Sequence, residues 1–533
     1  MQKIIVRQIR LSPDVPREYA LDQAVKAAES VGLSASPLGI CRMSVDSRRK
    51  NDIKAVYSVL LECGGVTDGQ LRSLDAILYA EPELTVKRGT GKKGKTAIIG
   101  FGPAGIFSAL VLVENGYDVT VFERGEDVVK RAQTVRRFIE NGVLDTESNV
   151  QFGAGGAGTF SDGKLITRIN DPLCAYVLKR LAQFGAPENI LYNARPHIGS
   201  DILQTVIGNI TGYLTEKGVK IYFSTTVNDV KEYSDGIKLL FNGGEEFYDA
   251  VILATGHSAR DVYKMLYENQ TALEAKPFSV GCRIEHLQES IDRAMYGSFF
   301  DKYRGNLPHA EYNLSKRCVI NGIERGVYTF CMCPGGEVIC ASTEKDGTVT
   351  NGMSNSERSG KNANSAVCVS VFPSDCGSDI LSGIEFQRRI ERSAFSASAG
   401  FRGIPYQTVG GFMCGKGSRF SEVMPSCSNG YVFADINKFF PKFVTDMIKT
   451  GLSDFGKKIK GFDFENAVMA APETRTSSPV RILRTPDGFS VSNSALYPCG
   501  EGAGYAGGIT SAACDGIKTA LKIAERFSPS NDC

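Results

Sequence analysis

The stretch that most limits what this chain can fold into is residues 96–105, TAIIGFGPAG. A short apolar strand runs into glycines at 100, 102 and 105, and the small residues of 104–115 read as a buried helix. DVTVFER then forms a second strand ending at Glu123, 23 residues after Gly100. Strand, turn, helix, strand and a strand-end acid together turn a bare G-x-G-x-x-G into a dinucleotide-binding signature. Gly100 permits the tight turn, Gly102 lets backbone approach a pyrophosphate, and Gly105 lets the helix lie close on the strand. Pro103 and Ala104 open that helix, whose unpaired amides meet the pyrophosphate charge. Glu123 is placed to accept the hydroxyls of an adenosine ribose, where a 2′-phosphate would be repelled. Arg124 follows it and is assigned to the same cofactor.

A second stretch, VQFGAGGAGTFSDGK at 150–164, repeats the spacing at Gly153, Gly155 and Gly158 but lacks the context. TESNVQF before it is mostly polar, the glycines are followed by turn formers rather than a helix, and no strand-end acid comes at the right distance. The expected role is a loop beside the pyrophosphate and ring of a flavin. Small residues there avoid collision, and backbone amides bind anionic oxygens. Gly155, Gly156, Gly158, Thr159 and Lys164 are assigned to that loop. A solvent loop with incidental glycines, or a true NAD(P) site, are the competing readings.

The far end of the chain separates FAD from NAD. LYPCGEGAGYAGGITSAACDGIKTALKIAERF, at 496–527, is a strand, a glycine turn and a helix. The turn resembles that of flavoproteins of the glutathione-reductase type, in which an acid holds the ribityl chain, and the resemblance implies that Glu501, next to Gly500, holds the ribityl chain or pyrophosphate. Gly507, Gly508 and Ile509 start a helix whose dipole suits the negative edge of a reduced flavin. ILATG, ending at Gly256, completes the pattern, and Val227 is assigned with it. FAD is therefore the expected cofactor, with NADH or NADPH as a transient electron donor.

At 533 residues the chain has length for roughly three domains of ~150 residues. Residues 1–88 (strands KIIVRQIRL, LGICRMSV and IKAVYSVLLE, helix YALDQAVKAAESVG) read as a small α+β domain, and the basic KRGTGKKGK (87–95) as its linker. Residues 96–275 begin the nucleotide domain. Short alternating segments such as FSVGCRIEH, GVYTFCMC and AVCVSVF place a mostly antiparallel cap at 276–471, and 472–533 return to the first fold. The fold class is α/β: a Rossmann-type FAD-binding domain, an inserted antiparallel substrate domain and a small N-terminal α+β domain. Truncation of residues 1–88 is expected to leave the flavin in place.

A net charge of +2 argues against a general nucleic-acid or membrane-surface binder. Fifteen scattered cysteines with no C-x-x-C, and no export signal at the N-terminus, point to reduced thiols in a cytoplasm and to no structural metal. The first 95 residues are more basic, with 16 Lys and Arg against 11 Asp and Glu. Arg42, Arg48, Arg49, Lys50 and Lys54 cluster there, which opens a rival reading: a flavin-holding protein recruited to RNA.

FGAGGAGTFSDGKL, PHIGSD, LATGHSARD, FCMCPGG, NGMSNSER, APETRTSSPVRI and YPCGEGAGYAGGITSAACDGIK, in that order, resemble the bacterial family of uncharacterised FAD-dependent, or NAD(FAD)-utilizing, dehydrogenases. The resemblance extends over nearly the whole chain. It implies a flavoprotein of the glutathione-reductase type and supplies no substrate. Glu501 departs from the broader flavoprotein pattern, where Asp is commoner. Flavin carries the hydride, so the protein needs to position a small organic substrate and supply a proton. The candidates are His257 as proton donor, Cys331 and Cys333 as a redox pair on one face of a strand, and Arg475 as an anion holder. Ser258 and Asp261 read as a capping box for the next helix, and His197 has no assigned role.

Overall fold

The computed structural model describes residues 1–530 apart from 51, 321, 399, 402 and 416–418. A five-stranded parallel sheet forms the nucleotide domain, in the spatial order Leu496–Pro498, Ala250–Leu253, Lys95–Ile99, Asp118–Phe122, Lys220–Tyr222. Its central strand is apolar and buried on both faces, as a parallel sheet requires. Helix Pro103–Glu114 follows, with nearly every residue buried. It packs against the C-terminal helix Ile509–Arg526, and glycine makes this approach possible. A Cβ on Gly516 would lie 2.2 Å from the Ala104 carbonyl oxygen, and one on Gly105 only 2.0 Å from that of Gly100. The Ser108 hydroxyl closes the contact by donating to the Gly516 carbonyl at 2.9 Å.

The inserted domain is a seven-stranded sheet in the order Ser315–Ile320, Ile323–Cys333, Asn362–Val371, Phe278–Leu287, Val468–Glu473, Ile404–Thr408, Tyr431–Phe433. All its pairings are antiparallel except the last. Its last strand in sequence runs to Glu473, two residues beyond the expected end of the domain at 471. The two crossings between domains are stitched together where Leu273–Ala275 pairs with Val480–Ile482. A hairpin, Gly236–Phe241 with Gly244–Tyr248, extends the strand Val227–Tyr233 into a meander that the sequence reading missed. Its GlyGly turn was legible, but the flanking charges masked the alternation.

His286 lies inside the inserted domain, 3% exposed, with its Nε2 2.8 Å from the Phe462 carbonyl oxygen. Burial pulls its pKa down to about 4. Between that value and the ordinary ~6.5 the unfolded chain binds a proton that the folded chain refuses, so stability rises with pH there. Acidification from about pH 6.5 to 4 is expected to cost on the order of 3 kcal/mol, and His286→Asn should flatten that slope in urea titrations. An unchanged slope in the variant would show that other groups carry it.

The N-terminal domain is a four-stranded antiparallel sheet, Ala35–Asp46, Lys54–Cys63, Gln2–Leu11, Ala76–Leu78, backed by helix Tyr19–Ser30. It is not the detached unit that the sequence suggested. Met43 bonds to the nucleotide domain in both directions, its amide to the Tyr192 carbonyl at 2.6 Å and its carbonyl to the Ala194 amide at 2.8 Å. Ile53, 1% exposed, belongs to the hydrophobic core of the inserted domain. The linker is anchored as well: Leu84 and Val86 pack on the nucleotide-domain core, and the Gly89 amide donates to the Ala524 carbonyl at 2.7 Å. A basic, glycine-rich composition signals a loop, and it says nothing about whether the loop's backbone finds partners.

Candidate cofactor and substrate site

A cavity of about 720 Å³ opens at the C-terminal ends of the parallel strands and is roofed by the inserted sheet. Ligands of open α/β sheets bind at this position. Gly100, Gly102, Pro103, Ala104, Glu123 and Arg124 form one end of its wall. Val227, Gly256, His257, Gly500 and Glu501 line the middle, and Gly507, Gly508 and Ile509 lie at the start of the C-terminal helix. Gly158 and Lys164 join from the second glycine stretch, with Cys331, Cys333 and Arg475 on the roof. Residues spread over about 400 positions of sequence thus converge on one space.

Two helices aim their N-termini at this space. Pro103–Glu114 begins at Gly102 and Ile509–Arg526 at Gly508, and neither has a side-chain cap. Uncapped first-turn amides are anion sites by geometry and dipole. A Cβ on Gly102 would meet protein only at Gly156 Cα, 3.7 Å away. The absent side chain therefore leaves the amides open to a ligand rather than relieving a clash. Gly105 is the opposite case, required by helix packing and absent from the cavity wall.

The second glycine stretch forms no strand–turn–helix, only a 3-10 turn at Ala157–Phe160. Arg131 organises it. This guanidinium is fully buried and donates to the carbonyls of Asn149, Val150, Gly153, Ala154 and Gly156 at 2.7–3.2 Å. Burial pulls its pKa down to about 9, while five carbonyl dipoles hold the charged form. Gly153, Ala157 and Gly158 reach the cavity. Gly155, Gly156 and Thr159, expected in the same loop, are not among its wall residues. A Cβ on Gly155 would strike the Thr159 hydroxyl at 2.1 Å, and one on Gly156 would lie 3.0 Å from Gly102 Cα. The smallness of Gly156 lets this loop pack against the first glycine turn, and that of Gly155 makes room for Thr159 and Ile207. Arg131 escaped sequence reading because VVKRAQTVRRF looks like an ordinary charged helix face.

Glu123, 5% exposed, accepts hydrogen bonds from the amides of Phe101 (2.7 Å), Gly125 (2.9 Å) and Gly153 (3.1 Å). It ties three loops together at the cavity wall and keeps a remaining acceptor site for a ligand hydroxyl. Arg124 stacks over Phe152 at 4.7 Å and pairs with Asp261 at 2.5 Å. The capping box read at Ser258 and Asp261 does not form. The helix starts one residue later than that reading needs, at Arg260, with Ala259 as cap. Ser258 instead bonds the His257 ring Nδ1 at 3.1 Å.

His257 reaches toward Glu501, with Nε2 4.0 Å from Oε1, and burial lowers its pKa. Its ring is therefore neutral at pH 7. Cys331 and Cys333 are not a regular same-face pair. The strand bulges between Phe330 and Cys333, with Cys331 at φ 45°, a region side-chain-bearing residues rarely adopt. Both are free thiols, Cys331 exposed at the cavity wall and Cys333 buried. Arg475 is engaged by Glu391 at 3.2 Å, which Arg260 also holds, at 2.7 Å. His197 bonds the Ser356 carbonyl at 3.1 Å and stands outside the cavity wall. Among the described residues no cluster of side chains could hold a metal, and no helix is long and apolar enough to cross a membrane.

Residues 277–476 match the family model described as FAD-dependent protein, C-terminal domain-like. An uncharacterized protein of Clostridium beijerinckii is 44% identical, aligned over 98% of this chain and 99% of its own length. The chain belongs to that family of FAD-dependent proteins. FAD is accordingly its cofactor, and the matched segment is the inserted domain that roofs the cavity. Solved structures with a similar fold are remote. CtdE in complex with FAD aligns over 81% of this chain and 84% of its own, at 11% identity and a TM-score of 0.31. Glycine oxidase from Geobacillus kaustophilus aligns over 83% and 97%, at 11% identity and a TM-score of 0.30. Likenesses this distant carry nothing about chemistry.

Proposed function

We propose that this family member is an FAD-dependent oxidoreductase whose small organic substrate binds between the nucleotide domain and the inserted sheet. The single cavity wall that joins both uncapped helix N-termini to the roof at Tyr328–Cys333 carries this reading. The Gly102 end suits the pyrophosphate, Glu123 the ribose and the Gly508 end the ring system. When bound, FAD supplies two-electron transfer. The protein's own residues do the rest. The inserted sheet excludes water, and neutral His257, held by Ser258, can hold or accept a proton beside Glu501.

The test is anaerobic titration of the purified flavoprotein with NADH and NADPH, followed by reoxidation with a panel of organic acceptors. Bleaching of the visible flavin band and its recovery by one class of acceptor are expected. A flavin that no donor and no organic substrate reduces would remove the oxidoreductase reading. The RNA alternative gains nothing: Arg48 pairs with Asp46 at 2.7 Å, Lys54 with Asp52 at 3.1 Å, and Lys50 donates to the Ala294 carbonyl.

A further inference from the structure

Lys164, Arg168 and Arg195 line the half of the cavity under the inserted sheet, together with the carboxylates of Asp162, Glu311 and Glu473. These carboxylates are already matched: Asp162 to Arg358 at 2.6 Å, Glu311 to Arg358 at 2.8 Å, Glu473 to Arg283 at 2.7 Å. Arg195 is a further cation 3.6 Å from Glu311. Among the described residues the Lys164 ammonium has one ion pair, 3.6 Å to the Asp162 oxygen that Arg358 already holds. Arg168, on the same loop and on the cavity wall, has no hydrogen bond or ion pair among the described residues. That loop is fixed at the ring end of the site, because the Thr510 hydroxyl donates to the Leu165 carbonyl at 2.7 Å. Thr510 lies in the first turn of the Ile509–Arg526 helix. Beside the two cations the wall is apolar: Ile166 and Phe330 are 47% and 36% exposed, with Met332 behind.

The geometry points to an organic anion as the substrate class: a carboxylate or phosphate head held by Arg168 and Lys164, and an apolar body against Ile166 and Phe330. This inference rests on the placement of FAD proposed above. An unpaired guanidinium presents a planar fork of donors that fits either head group. The apolar surface beside it would remain wet with a purely polar ligand such as a sugar.

The test uses the FAD-loaded full chain at low ionic strength, with benzoate, phenyl phosphate and the neutral benzamide as probes. Flavin difference spectra report occupancy beside the ring. A saturable response to benzoate, to phenyl phosphate or to both, with none to benzamide, is expected, and the responding probe names the head group. Arg168→Ala should weaken that probe about tenfold, as loss of a charge-assisted hydrogen bond implies. Arg168→Lys should recover part of it. Arg392→Ala, an exposed arginine paired with Asp346, should behave as wild type. Equal response to benzamide, no response to either anion, or an unaltered affinity in Arg168→Ala would overturn the inference. So would loss of FAD from Arg168→Ala, which would make the residue a cofactor ligand. A wild-type protein purified without flavin would instead count against the proposed function.

Discussion

Valine at position 102 is expected to give a folded protein that has lost its FAD. The backbone there has an ordinary φ of −86°, and a Cβ would meet only Gly156 Cα, at an ordinary 3.7 Å. The fold therefore tolerates a side chain, whereas the pyrophosphate approaching the uncapped amides does not. Losing two charge-assisted hydrogen bonds at ~1.5 kcal/mol each weakens binding by about 100-fold. Gly105→Ala is the informative contrast. Its Cβ would sit 2.0 Å from the Gly100 carbonyl oxygen, so the expected outcome is little folded protein rather than folded apoprotein. FAD content per chain, read with circular dichroism on both variants, separates the roles. Full flavin content in G102V would move the pyrophosphate elsewhere.

Arg131→Met should cost about 4 kcal/mol or more of stability and most of the bound flavin. Methionine fills much of the volume but leaves five carbonyls without their donor, and unsatisfied buried acceptors cost ~1–3 kcal/mol each before relaxation. Arg131→Lys, with three donors and no planar fork, should fall between. The denaturant midpoint of the nucleotide domain and its FAD content should drop together. A variant with an unchanged midpoint would mean that the loop at 149–156 supports itself.

The difference between these two residues also marks what was legible. Gly102 could be read because its reason is local: strand, turn and helix lie within ten positions. The same holds for Glu123, Gly256 and the Gly507–Gly508 turn, and for the parallel and antiparallel halves of the fold. Arg131, the Arg260–Glu391–Arg475 ion-pair cluster and the docking of Ile53 have reasons that lie far along the chain. Sequence spacing carries no trace of them. Gly155 and Gly156 fall between. Their need for smallness was plain, but Gly156 makes room for the neighbouring turn and Gly155 for Thr159 and Ile207. The linker misled for a related reason, since polar composition hides backbone hydrogen bonds.

Four strands of the parallel sheet are complete by Leu253, while the fifth, Leu496–Pro498, and the helix that follows arrive only after the entire inserted domain. During synthesis the roof can fold first, and the nucleotide domain must wait unfinished, the outer edge of its sheet open along Ala250–Leu253. A chain that stalls or is cut before residue 496 lacks Gly500, Glu501 and the start of the C-terminal helix, which complete the cavity wall. Yellow colour in a cell extract would then report finished molecules alone, which makes cofactor retention a built-in check on completed translation.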